Sequence, residues 1–280
     1  MLGTRDGVRT LGPADLPELT RVVRQDPILN VFVDHRLTTT RLEPRWFGGH
    51  MWGYYEGETM VSACHVAANL VPVSATPAAL DAFGRRAATM ARMSSSLLGP
   101  RDDVLALWEH VRPSWGEARS LRLDQPFLLI DGPPAVEPDP RVRRVLMDEL
   151  DLLYPASVAM FTEEIGESPE APGRHSYRAR VAQLISKGWA FAIIEDDLVV
   201  FKAEVTAATD AGCHVQGVWV DPSRRGEGLS ETGMAAVVAE AMRSIAPTVT
   251  LYVNDHNVAA RRSYARVGFR QVATFASILF

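Results

Sequence analysis

The sequence predicts an α/β (α+β) protein built as two units, each a mixed, largely antiparallel sheet flanked by helices, and three observations predict it. Helical and strand-like patterns interleave along the chain. A proline-rich stretch, "DGPPAVEPDPRV" (131–142), interrupts them near the middle and can continue neither a helix nor a central strand. The elements before and after it follow a similar order without obvious residue identity, as an old duplication would leave them. A chain of 280 residues is long for one core and comfortable for two. The expected units are therefore 1–132 and 133–280.

In the first half, "GPADLPELTRVVRQ" and "NVFVDHRLTTTRL" read as short helices, and "HMWGYYEG" and "TMVSACHVAANLV" as strands. "TPAALDAFGRRAATMA" reads as a helix with Thr76 as N-cap and Pro77 at its first position. A strand "ARMSSSLLG", a helix "RDDVLALWEHV" and a strand "SLRLDQPFLLI" complete this half. In the second half "RVRRVLMDELDLLYPASVAMFTEEIG" is mostly helical, and "SYRARVAQLISKG" is a helix that Ser176 can cap and Gly188 can end. "WAFAIIEDD" and "LVVFKAEVTAAT" pair as a hairpin across the acidic turn Glu195, Asp196, Asp197. There follow a strand "CHVQGVWV", a loop, a helix over roughly 231–245, a strand "TVTLYVN", a helix "NVAARRSYARV" and a closing strand "RQVATFASILF".

Composition narrows the function classes. Hydrophobic residues are 47% and charged residues 22%, the balance of a self-folding globular chain. The net charge of −5 offers no footprint for a nucleic-acid backbone, so a neutral, basic or small-molecule partner is expected. Cys64 and Cys213 lie in separate halves, without the spacing of a zinc site or disulfide framework, and read as free thiols of a reducing compartment. No apolar run reaches membrane-spanning length, and the amino terminus lacks a signal-peptide core, so a cytoplasmic location is expected. The seven histidines, including His214 and His256, show no paired ligand spacing; no metal is expected. No Gly-x-Ser-x-Gly elbow suggests a hydrolase.

The stretch "DPSRRGEGLSETGMAAVVAEAM" (221–242) carries the functional signal. Met234, Val237, Val238, Ala241, Met242 and Ile245 recur at helical spacing, which fixes a packed helix after the loop. Pro222 stops the preceding strand, while Gly226 and Gly228 let the backbone turn sharply and approach a ligand. The first N–H groups of a helix lack internal partners and carry the positive end of its dipole, so an anion is stabilised there. Arg224 and Arg225 add guanidinium forks suited to phosphate oxygens, and Ser230 adds a hydroxyl. Taken alone, the loop reads equally as a solvated turn. It is neither a Walker A sequence nor a full three-glycine dinucleotide fingerprint.

A second stretch, "LYVNDHNVAARRSYARVGF" (251–269), decides between these readings. Together the two motifs resemble the GNAT acyltransferase family, whose diphosphate loop Arg/Gln-x-x-Gly-x-Gly/Ala is matched by Arg225, Gly228 and Ser230, the serine being a departure. The later N-x-x-N-x-x-A…Y-x-x-x-GF pattern is matched by Asn254, Asn257, Ala260, Tyr264, Gly268 and Phe269. The resemblance covers roughly 139–280; the first half is similar in element order only. Where it would need a cradle it reads "PVSAT", with neither arginine nor glycine, so the chain resembles a tandem GNAT protein with a degenerate first copy.

The resemblance implies acetyl-CoA, or another acyl-CoA, as donor and an amine of a small molecule or protein as acceptor. It implies that the strand around Gln216 to Val220 binds the pantetheine arm through its backbone, Val218 and Val220 included, and splays from the following parallel strand. The backbone of Val218 would polarise the thioester carbonyl. Arg224, Arg225, Gly226, Gly228, Leu229 and Ser230 would hold the diphosphate, with Asn254 and Asn257 beside the coenzyme. Tyr264 is expected to contact the coenzyme and to protonate the departing thiolate, although it also shares a packed helix face with Ala260 and Val267. For the base the sequence leaves alternatives open: Glu204, which shares a strand face with Lys202; Glu163 and Glu164 lining the acceptor site; or water alone. Two other functions stay open at this stage, an acyl-CoA sensor or scaffold without turnover and an aminoacyl-tRNA-dependent transferase, the latter disfavoured by the acidic charge.

Overall fold

In a computed structural model residues 7–170 and 176–280 are described, and by their contacts they form two compact units. One holds the residues up to Phe127 together with Gln271–Phe280; the other is Leu128–Arg270. The division by contacts falls after Phe127, and the chain's last ten residues count with the first unit.

In chain order the first part contains β1 (Gly7–Thr10), α1 (Leu16–Val23), α2 (Val31–Thr40), α3 (Pro44–Phe47), β2 (His50–Glu56), β3 (Thr59–Val66), β4 (Asn69–Val73), α4 (Pro77–Ala88), β5 (Ser96–Pro100), α5 (Arg101–Trp115) and β6 (Ser120–Ile130). Then come β7 (Arg143–Arg144), α6 (Leu150–Ile165), α7 (Ser176–Ser186), β8 (Ala190–Glu195), β9 (Leu198–Ala208), β10 (Cys213–Val220), α8 (Leu229–Ser244), β11 (Val249–Tyr252), α9 (Val258–Val267) and β12 (Arg270–Leu279). The fold is a mixed α/β one with helix-flanked sheets.

Strand order in the first unit is β1-β2-β3-β4-β5-β12, antiparallel except between β4 and β5. In the second unit the end of β6 is followed by β11-β10-β9-β8-β7, with β10 and β11 parallel and β7 to β10 antiparallel. The two parallel pairs are alike. β4 meets β5 only at Asn69–Ser96 and Leu70–Leu97, and β10 meets β11 only at Cys213–Val249 and His214–Thr250.

Each sheet is covered on both faces. In the first unit α4 and α5 bury Phe83, Leu107 and Val111 against Trp52 and Cys64, while α1 and α2 bury Leu19, Val22 and Leu37 against Met51 and Met60. In the second, α8 and α9 press Met234, Val237, Val238 and Val267 onto Phe201, Val215 and Leu251. α6 and α7 close the opposite face with Leu153, Val181 and Ile185. Each such aliphatic side chain contributes on the order of 2 kcal/mol when fully buried.

Local signals place most element ends. Thr76 Oγ1 accepts from the Ala79 N–H at 3.3 Å, and Asn257 Oδ1 from the Ala260 N–H at 3.1 Å, so both act as N-caps. The hairpin between β8 and β9 turns on Asp196 and Asp197, both at positive φ (47° and 62°), the geometry a two-residue turn demands. Three readings change. "TMVSACHVAANLV" is two strands, β3 and β4, which reverse at Ala67–Ala68 without a glycine or proline to mark the turn. The short edge strands β1 and β7 are paired although too brief to show a period. Ser176 is the first residue of α7, with 171–175 outside the described residues, while Gly188 does end that segment, at φ 68°.

Two histidines sit in these cores as neutral rings. His65 Nδ1–H donates to Asn69 O (3.1 Å), and His214 Nδ1 meets Thr250 Oγ1 (2.9 Å); burial pulls the pKa of each down to about 4. The folded state therefore refuses protons that the unfolded chain binds below its ordinary value of 6.5. Stability is complete above that value and falls as pH drops toward 4. Unfolding by denaturant is expected to show a loss of roughly 1.4 kcal/mol per pH unit per histidine over this window. A flat profile between these pH values would contradict the buried neutral state.

Candidate active site

The site is built where β10 leaves β11. Beyond His214 the parallel ladder ends, so the backbone of β10 from Val215 onward is no longer paired on that side by β11. Gln216 Nε2 reaches across to Tyr252 OH at 3.2 Å. On its other edge β10 pairs with β9, Gln216 opposite Glu204 and Trp219 opposite Lys202, and the register shifts between Gln216 and Trp219. That shift is a β-bulge at Gly217, whose φ of 61° is a conformation few side-chain-bearing residues tolerate. A Cβ there would also come within 3.1 Å of Lys202 Nζ and of Met160 Cε, and 3.2 Å of Glu204 Oε2. Glycine is needed twice over.

At the end of β10, Asp221 caps a single turn by accepting from the Ser223 N–H at 2.8 Å, and the chain then runs through Gly226 and Gly228 at φ 88° and 83° into α8. Nothing stands within 4 Å of a Cβ built at either glycine, so the loop is open above the helix N-terminus. Leu229 is buried in the core and pins the first turn, so it can offer a ligand its backbone N–H only; Ser230 is half-buried beside it. The loop brings together features that favour an anion: open backbone, the positive end of a helix and two arginines. Val218 and Val220 turn their side chains to the core beneath α8.

The arginines are engaged by carboxylates. Arg225 Nη2 donates to Glu163 Oε2 at 2.7 Å and its Nε to Val220 O at 3.2 Å. Arg224 bridges Glu195 at 2.6 Å and Glu227 at 2.9 Å, and Arg141 joins Glu195 from the far side. Hydrogen bonding from Arg224 holds the Glu195 carboxyl below the usual carboxylate range. Glu163, expected toward the acceptor, is thus placed beside the glycine loop.

Tyr264 is buried on α9, 6% exposed, edge-on to Phe269 at 5.8 Å. Burial, and next the charge of Glu164, push its phenol well above the ordinary value of 10, so it stays protonated near neutrality. Glu164 also acts on Tyr177, whose phenol is raised first by burial and then by Glu204. Glu164, Tyr177 and Glu204 therefore share one electrostatic neighbourhood, which reaches Tyr264. Glu204 is held by Lys202 at 2.7 Å, both buried. Asn257 spends its side-chain oxygen on capping α9, and Asn254 O accepts from the Asn257 N–H at 2.9 Å, which shapes the turn below β11. Sequence reasoning gives no site role to Gly217, Tyr177 or Arg141, and reads Glu195 only as part of the acidic turn. Only Gly217, a glycine inside a strand pattern, carried a signal for its role.

A parted parallel pair, a bulged strand and an open glycine loop leading into a helix mark the candidate site of the second unit. Residues 161–269 match the acetyltransferase (GNAT) family, and residues 49–153 match a domain of unknown function (DUF4081). The second unit thus carries a GNAT domain. Members of this family transfer acyl groups from CoA, with acetyl-CoA as donor and amines as acceptors.

No curated protein matches the sequence. Among solved structures, a Drosophila protein is similar at TM-score 0.68 and 13% identity, covering 99% of each chain. A tandem GNAT protein from the clavulanic acid biosynthesis pathway is similar at 0.60 and 14%, covering 98% of each. A GNAT-family acetyltransferase from Colwellia psychrerythraea is similar at 0.59 and 13%, covering 98% of this chain and 99% of its own. At these identities the likeness is one of fold.

Among the described residues no three His, Cys, Asp or Glu side chains gather so as to hold a metal ion, and no helix is long and apolar enough to cross a membrane.

On the expectation that Arg225 meets the diphosphate, Arg225→Glu would remove a charge-assisted contact and add repulsion; calorimetry is then expected to show CoA affinity reduced about tenfold to a hundredfold. Glu163→Gln frees Arg225 from an exposed pair worth at most about 1 kcal/mol, so affinity should rise by a factor of a few. Unchanged affinity in the first variant would remove Arg225 from the coenzyme site.

Proposed function

We propose that the protein is an acyl-CoA-dependent N-acyltransferase that moves an acetyl, or another acyl, group from CoA to an amine of a small molecule or protein by direct attack. The observation that carries this reading is the sequence of features along one strand: β10 parts from β11 after His214, bulges at Gly217 and ends in the glycine loop at the α8 N-terminus. The catalytic part is 133–280, and 1–132 is a copy without a diphosphate cradle, since the loop leading into α4 has no counterpart of Arg225 or Gly228.

Backbone N–H groups of Gly226, Gly228, Leu229 and Ser230, with Arg224 and Arg225, hold the diphosphate. Val218 and Val220 offer backbone groups to the pantetheine arm, with Asn254 and Asn257 at its other side. An acyl-CoA supplies an activated thioester carbonyl; the Val218 N–H takes up the charge that develops on its oxygen. Tyr264 contacts the coenzyme and gives its proton to the thiolate that leaves. Glu204 and Glu164 face the acceptor amine, which attacks the carbonyl carbon as the C–S bond breaks and gives up its proton to Glu204 or to water; Glu163 is held by Arg225 at the edge of this region. The two cysteines are buried free thiols, Cys213 raised to about 12 by burial, which suits a cytoplasmic protein without a thiol intermediate.

The test is release of free thiol from acetyl-CoA across a panel of amines. Tyr264→Phe is expected to bind CoA normally and to turn over about a hundredfold more slowly where chemistry limits the rate. Because the phenol titrates above 10, the wild-type rate should show no alkaline loss from this group below that pH. A full rate in the phenylalanine variant would remove Tyr264 from the chemistry.

A further inference from the structure

One buried charge in the second unit is not accounted for by coenzyme or acceptor binding. Lys202 lies on β9 with no exposed surface. Its ammonium has two partners: Glu204 Oε1 at 2.7 Å, and the main-chain oxygen of Gly217 at 3.0 Å. A buried cation held by a carboxylate needs no further explanation as an ion pair. The second contact does, because the carbonyl it meets belongs to the bulge. The shift in register and the positive φ of Gly217 turn this peptide out of the regular ladder, and the absence of a Cβ lets Lys202 Nζ and Glu204 come close.

The peptide group whose oxygen Lys202 binds also contains the Val218 N–H. Among the described residues every peptide bond is trans, so the oxygen and the N–H of that group point in opposite directions. A cation donating to the oxygen draws electrons through the amide and leaves the N–H a stronger donor, an effect that is largest where water is excluded. We propose that Lys202 is a positioning and polarising residue: by charging the Gly217 carbonyl it strengthens the Val218 N–H as donor to the acyl carbonyl oxygen. The proposal rests on the acyltransferase reading, in which that N–H faces the thioester. Glu204 balances the charge, so the polarising cation is kept inside the sheet without repelling a cationic amine.

The test reads the carbonyl itself. Infrared difference spectra of carbonyl-labelled acetyl-CoA report how strongly the bound thioester oxygen is hydrogen-bonded. The wild-type complex is expected to show the stretch displaced to lower frequency than in solution. In Lys202→Met most of that displacement should disappear and kcat should fall about tenfold, a fraction of what complete loss of such a donor costs, with acetyl-CoA affinity little changed. Lys202→Met/Glu204→Leu leaves no unpaired buried charge and keeps the measurement available if the single variant does not fold; its carbonyl frequency is indifferent to any role of Glu204 toward the amine. A merely structural lysine would alter stability or affinity and leave the frequency of the bound ligand in place. Folded variants that retain the full displacement overturn the proposal alone. A wild-type protein that binds no acetyl-CoA overturns both it and the function on which it rests.

Discussion

The site depends on a parallel strand pair that stops pairing after two residues. Had β10 and β11 run on in register past His214 and Thr250, the main-chain groups of Val215 to Val220 would be satisfied within the sheet and closed to any ligand. Because the strands part, β10 presents an open edge inside a folded unit, a place for a ligand carrying its own amide groups. Met234, Val237 and Val238 of α8 and Val267 of α9 pack on one face of the sheet and Leu153 and Val181 on the other, so the parting lies between two packed helical layers. The bulge at Gly217 then re-aims one peptide, and the strand delivers the chain to the mouth of α8.

The first unit uses the same strand device without the loop. β4 and β5 also pair at only two positions, and α4 begins with a proper cap, Thr76. What differs is the connection: "PVSAT" has no glycine to open the backbone and no arginine, and Ser74 is held at φ 47°. Ser74 Oγ donates to Val22 O at 3.0 Å and Ser62 Oγ to Ser74 O at 3.0 Å, so the turn is tied into its own unit. A shared strand geometry with opposite loop chemistry is the reason the proposed coenzyme site falls in the second unit.

What was legible in the sequence was local. Arg225, Gly228, Asn257 and Tyr264 could be found because their neighbours in sequence impose the conformation: positive φ at the glycines, a cap at the asparagine, a helix face at the tyrosine. Partners distant in sequence were not legible. Glu163 reaches Arg225 across 62 positions and Glu195 reaches Arg224 across 29, and neither spacing leaves a pattern. The reversal between β3 and β4 was hidden because alanines continue the apolar run. The place of β12 with the first unit was hidden for a similar reason, since it and β6 are both long, apolar strands.

The most direct measurement is a crystal structure of the protein with CoA. The account predicts the diphosphate against the backbone of Gly226 to Ser230 with Arg225 turned from Glu163 onto it, and the pantetheine arm lying along β10 toward Gly217. A nucleotide lodged at the α4 N-terminus beside Thr76, or a coenzyme that leaves the opening between β10 and β11 empty, would contradict it.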